Sequence, residues 1–196
     1  SPFLFWWYAN RRVELSLTVS GPALPDAPLP RKALPGDLLY LAGDRWGRTG
    51  AAIRAHYEGR SLEGFPKIRE AAFYPLPRLE LLALSGLLRG SLDSSDGLAE
   101  TLWQLSELGV RVELEVLPLY PDVLAFAGSE EAALELVLYG GEEFEAVLVV
   151  PQEGAAAVEA RAKAKGLPLF RVGRGVAGEG VYLRGAPLPR KGYAHF

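Results

Sequence analysis

Two carboxylates and two hydroxyls lie within four residues at Asp93-Ser94-Ser95-Asp96, and Gly97 follows them. A run with helical periodicity comes next (Leu98, Leu102, Leu105, Leu108), then an alternating strand pattern (Val110, Val112, Leu114, Val116). Ser and Asp at the mouth of a helix accept hydrogen bonds from its free N–H groups. The same place can hold a phosphate through a metal, because N–H groups attract the anion and carboxylates attract Mg²⁺. On spacing, a capping cluster without a ligand and a metal-phosphate site are both open. A second cluster, Gly140-Gly141-Glu142-Glu143-Phe144-Glu145, gathers three carboxylates after a Gly-Gly turn, where Glu142 is either a solvated charge or a ligand contact. The Gly-rich stretch Gly43–Gly50 could cradle a phosphate, yet it has neither the Walker nor the Rossmann spacing and reads as a plain strand-to-helix turn. His56 and His195 are too far apart for a local metal motif.

The elements that must position these residues follow from patterning. Arg12–Val19 alternates and predicts a half-buried strand, and the dense aromatics of residues 1–10 call for cover. Four prolines between Gly21 and Pro30 mark a linker, so the chain divides into 1–22 and 30–196. Leu38–Ala42 reads as a buried strand, with a helix from about Ala51 to Tyr57 and a loop from Gly59 to Pro66. Pro77 opens a helix that puts Leu79, Leu82, Ala83 and Leu87 on one face. The helix after Asp96 closes at Gly109, a strand covers 110–117, and Ser129 starts a helix to about Leu138. Ala146–Val150 is a buried strand, Glu153–Lys165 a helix, and Leu167–Val172 and Val181–Leu183 are the last strands. The order is no repeating βαβ array, which predicts α+β: a mixed β-sheet covered by helices on one face.

The chain has 196 residues, 49% of them hydrophobic and 23% charged, enough to bury a real core. A net charge of −3 gives no nucleic-acid footprint and no affinity for an anionic membrane. Without Cys there is no disulfide framework, thiolate metal site or Cys nucleophile. No apolar run reaches the roughly 18 residues of a membrane span, and the apolar start lacks the basic and cleavage regions of a signal peptide. The expected location is cytoplasmic. Met is absent altogether, so the first residue is not expected to be the start of translation: either something is removed upstream or the chain begins inside a longer protein. Asn10 is the only Asn, Gln is scarce and Pro is plentiful, a balance shared by heat-adapted proteins and by the products of GC-rich genomes.

Four signatures in order, Asp93-Ser94-Ser95-Asp96-Gly97-Leu98, Leu117-Pro118-Leu119, Gly140-Gly141-Glu142-Glu143-Phe144-Glu145 and the closing Gly192-Tyr193-Ala194-His195-Phe196, resemble the C-terminal half of thiamine-monophosphate kinases. The resemblance covers about residues 30–196. It implies the α+β C-terminal domain of the aminoimidazole ribonucleotide synthetase superfamily, with residues 1–22 holding the last strand of the preceding nucleotide-binding domain. It also implies ATP and Mg²⁺ as cofactors, thiamine monophosphate as substrate and a homodimer.

By position, the resemblance makes Asp93 and Asp96 Mg²⁺ ligands and Ser95 a nucleotide contact. Glu142 then belongs to the substrate side, and Tyr193 is the aromatic that packs on thiamine. Arg31 stands near the arginine that precedes the family's A-x-P-G-D turn, here Ala33-Leu34-Pro35-Gly36-Asp37, and would reach the nucleotide phosphates. Ser94 replaces a usually apolar residue, and Glu143 replaces an Asp. The family's N-terminal G-D-D-A stretch has no counterpart, so the chain alone is expected to lack kinase activity. Two rivals stay open: a non-catalytic ligand-binding relative, and another ATP-dependent enzyme of the same superfamily.

Overall fold

The computed structural model describes residues 5–9, 12–21, 31–74 and 77–191, with side chains from residue 16 onward. The first alternating stretch forms an antiparallel hairpin, β1 (Phe5–Ala9) against β2 (Arg12–Ser16), in the register Phe5↔Ser16 to Ala9↔Arg12. The strand stops at Ser16, short of the expected Val19. Leu17 and Val19 beyond it are exposed, so the half-buried reading fails at that end.

The elements that follow are β3 (Leu38–Ala42), α1 (Arg48–Glu58), α2 (Pro66–Phe73), a 3₁₀ helix (Leu79–Leu87), β4 (Gly90–Ser94), α3 (Leu98–Ser106), β5 (Arg111–Leu114) and α4 (Pro121–Ala127). Next come α5 (Glu130–Tyr139), β6 (Glu145–Val150), a 3₁₀ turn (Gln152–Gly154) into α6 (Ala155–Ala164), β7 (Leu169–Val176), β8 (Val181–Leu183) and β9 (Ala186–Pro187). The strands from β3 onward make one sheet in the order β4-β6-β3-β7-β5-β8-β9. Its neighbours are antiparallel except β5 and β8, so the sheet is mixed as expected.

Helices cover both faces of this sheet, where the sequence pattern predicts one. Leu39, Leu41, Val147 and Val149 pack with Leu98, Leu102 and Leu105 of α3 and Val137 of α5. Leu38, Tyr40, Leu148 and Val150 turn the other way and meet Leu84, Val158 of α6 and Ala162. The signal was already in β3 and β6. Both are apolar without alternation and buried at every residue, as strands covered on two sides must be.

Two further corrections have local causes. Residues 79–87 wind with three residues per turn, so Leu81, Leu84 and Leu87 share the inward face while Leu79 and Leu82 stay exposed. The helices α2 and α4 were not anticipated, although each has Pro at its first turn, where a missing N–H costs nothing. Together with α1 and α5 they enclose a satellite core of Ala51, Ala55, Ile68, Val123, Phe126 and Leu136. Among the described residues no helix is long and apolar enough to cross a membrane.

Candidate functional site

Strand β4 lies at one edge of the sheet against β6, with Asp93 opposite Ala146 and Ser94 opposite Glu145. At this end β4 runs out into Ser95-Asp96-Gly97, and the Gly140–Phe144 loop runs in to start β6. The Glu142 N–H donates to the Ser95 carbonyl at 2.7 Å, and the Phe144 N–H donates to the Ser94 carbonyl at 2.9 Å. Two stretches distant in sequence are thereby clipped into one surface.

The clip requires an unusual backbone. Glu142 and Phe144 sit at φ 60° and 48°, a region that costs a side-chain-bearing residue about 1–3 kcal/mol and recurs at functional loops. The alternation that results exposes Glu142 and Phe144 and turns Glu143 and Glu145 inward. Gly140 is equally constrained. A Cβ there would strike the Leu136 carbonyl oxygen and come within 2.7 Å of the Gly50 Cα, so α1 and α5 meet backbone to backbone.

Glu145 is a structural charge. It accepts from the Arg45 Nε at 3.1 Å and the Arg78 Nη2 at 2.8 Å, and from the N–H groups of Asp44 and Arg45 at 3.2 and 3.3 Å. Those are two of the N–H groups that a phosphate in the Gly43–Gly50 turn would need, in keeping with the plain-turn reading. Arg48 is held by both oxygens of Asp122 at 2.8 and 3.2 Å and lies 4.1 Å from the Tyr120 ring centre.

Glu143 is fully buried, and burial pushes its carboxyl up to about 8. Its Oε2 accepts from the Ser94 hydroxyl at 3.4 Å, and its Oε1 has no partner. Ser94 is equally buried. The two departures from the family pattern thus face each other inside the protein.

Between α1, α2 and the clipped loop opens a cleft of about 1330 Å³. His56 and Tyr57 of α1, Arg69 and Phe73 of α2, Ser95, Asp96, Tyr139–Glu142, Phe144 and Lys191 contribute to its walls. The carboxylates of Asp96 and Glu142 and the charged groups of Arg69 and Lys191 have no hydrogen-bond or ion-pair partner among the described residues. Arg60, by contrast, is tied to the Phe126 carbonyl at 2.8 Å and stacked 4.0 Å from that ring's centre. Tyr57, Phe73 and Phe144 expose 85%, 67% and 53% of their surface, so the cleft is bordered by open aromatic rings.

Of the residues singled out in the sequence, Ser95, Asp96 and Glu142 share this cleft. Asp93 is exposed on β4 and is not part of its lining. Arg31 is exposed and precedes Leu38, which pairs with Val150 at the far end of β3, whereas Ala42 pairs with Ala146 at the cleft end. Arg31 is not part of the cleft lining. Tyr193 and His195 lie outside the described residues. Helix capping does not explain the Asp93–Asp96 cluster: Asp93 and Ser94 end a strand, and the N-cap of α3 is Gly97 at φ 98° with no side-chain bond. Arg69 and Lys191 were missed, for neither belongs to a motif and only the fold brings them to the loop. No group of three His, Cys, Asp or Glu among the described residues makes a metal cage.

Fold and site define a class. Residues 35–185 match the family described as AIR synthase related protein, C-terminal domain, and the chain belongs to that family. Its relatives are more specific. A thiamine-monophosphate kinase of Pyrococcus horikoshii is 29% identical over 171 residues, 83% of this chain and 51% of the relative. A crystal structure from Thermus thermophilus is 96% identical, covers 84% of this chain and 54% of that one, and superposes with a TM-score of 0.83. The thiamine-monophosphate kinase of Stenotrophomonas maltophilia gives 26% identity, 82% and 54% coverage and a TM-score of 0.75. The chain spans about half the length of the curated relatives it matches.

Proposed function

We propose that the chain is the C-terminal part of a thiamine-monophosphate kinase, which moves the γ-phosphoryl group of ATP onto thiamine monophosphate to give thiamine diphosphate. The observation that carries this reading is the backbone clip, which brings Ser95, Asp96 and Glu142 to one cleft. The contents of the cleft support it. Thiamine monophosphate combines a cationic aromatic ring with a phosphate, and the cleft combines uncommitted carboxylates, uncommitted cations and open rings.

Phosphoryl transfer asks a protein chiefly for positioning and charge neutralisation. Mg²⁺, when bound, neutralises charge on the phosphates. It ordinarily takes one or two carboxylates, with phosphates and water completing its shell. Asp96, facing the cleft without a partner, fits that donor set, and Asp93 is the second carboxylate. Ser95 would contact the nucleotide, Glu142 the thiazolium charge and Tyr193 the thiamine rings. A nucleotide contact from Arg31 rests on the resemblance alone. Residues 1–22 are read as the last strand of an N-terminal nucleotide-binding domain and 30–196 as the C-terminal domain. A homodimer, a cytoplasmic location where ATP is held, and a heat-adapted source complete the proposal.

The test is made in the longer enzyme that carries this chain. Asp96→Asn and Asp93→Asn should each lower kcat at least tenfold, about 1.4 kcal/mol of transition-state stabilisation. Unfolding curves should stay put, since neither carboxylate has a partner to lose among the described residues. Wild-type rates in both variants at saturating Mg²⁺ would overturn the assignment.

A further inference from the structure

After β9 the chain crosses α3 before it reaches the cleft, and Arg190 fixes the crossing. Its Nε and Nη2 donate to the two oxygens of Glu100 at 2.9 and 2.6 Å, and its Nη1 donates to Glu107 Oε1 at 2.5 Å. Glu100 and Glu107 lie two turns apart on one face of α3 and just past its end, so one guanidinium spans both. Arg190 holds the Glu100 carboxyl below its usual range, which extends the ionic clamp to lower pH. Exposed ion pairs add little stability singly, but a bidentate fork with a second carboxylate fixes direction. The direction it sets leads to Lys191.

Lys191 lines the cleft, with its Nζ 5.3 Å from the centre of the Tyr139 ring. No carboxylate among the described residues pairs with its ammonium. Tyr139 directly precedes the Gly140–Phe144 loop that carries Glu142, and α3 begins just after Asp96. The clamp and the ring therefore hold a cation against the same two segments that supply the free carboxylates. A ligand with a positive ring satisfies Glu142 and leaves its own anion to be met. A lysine ammonium meets a phosphate as a compact point charge.

We propose that Lys191 is a phosphate-binding residue of the cleft, with Arg190 as the positioning residue that delivers it. The inference rests on the reading of the cleft as a thiamine monophosphate site. Calorimetric titrations of thiamine monophosphate and of thiamine into the 196-residue chain test it, with a melting curve on each variant. The wild type should bind the phosphorylated ligand about tenfold more tightly than thiamine. Lys191→Gln should lose most of that preference with thiamine affinity unchanged. Lys191→Arg should keep it, and Arg190→Gln should lose part of it at an unaltered melting temperature. An undiminished preference in Lys191→Gln overturns the role of Lys191 and leaves the cleft reading standing. An undiminished preference in Arg190→Gln overturns the positioning role. A wild type that binds neither ligand overturns the cleft reading, and this inference with it.

Discussion

Glu143 has no exposed surface, a long hydrogen bond from Ser94 and a carboxyl oxygen without a partner. Such a group is cheaper to bury protonated than ionised. Its ordinary value of 4.5 rises to about 8, chiefly through burial. Between those values the folded protein holds a proton that the unfolded chain has released, so stability falls as pH rises through that window. The contribution is full below about pH 4.5 and gone above about pH 8. Glu143→Gln should therefore flatten the decline of melting temperature between about pH 5 and about pH 8.5. An equally steep decline in the variant would mean that Glu143 is ionised throughout. In the sequence Glu143 reads only as a lengthened Asp in a familiar motif. Its partner was visible one motif away, as the hydroxyl of Ser94 at a position otherwise apolar, but only the β4–β6 register makes them neighbours.

At the scale of elements, legibility tracked how local the cause was. Strand β3 was read residue for residue from its apolar run, and α5 from Ser129, whose hydroxyl accepts the Ala132 N–H at 3.1 Å. The 3₁₀ winding of residues 79–87 was not legible, because Leu-rich segments satisfy either period until α6 selects a face. The clip was not legible either, since its hydrogen bonds join the end of a strand to a loop before another strand. Its rigidity depends on the contact between Gly140 and Gly50. Gly140→Ala should cost about 1–3 kcal/mol, as overpacking does elsewhere, and should weaken thiamine monophosphate binding by displacing Glu142. Urea unfolding with a calorimetric titration checks both; an unchanged midpoint would show that the helices can part at no cost.

The whole molecule separates support from chemistry. Two hydrophobic layers clamp the sheet, and the satellite core of α1, α2, α4 and α5 builds the cleft at the end where β4 and β6 exchange their loops. The chain matches about half of each relative, and the N-terminal G-D-D-A stretch that the resemblance leads one to expect has no counterpart in it. The isolated chain should accordingly bind thiamine monophosphate without phosphorylating it. Turnover with MgATP above that of an Asp96→Ala control would contradict this. The most direct measurement of the central claim is a residue-resolved one: amide NMR spectra of the isotopically labelled chain during titration with thiamine monophosphate. Saturable shifts are predicted at Ser95, Asp96, Gly141, Glu142 and Phe144, with Arg31 and the amides of α6 unmoved. Saturable shifts centred on α6 or the far end of β3, or none at millimolar ligand, would contradict the account.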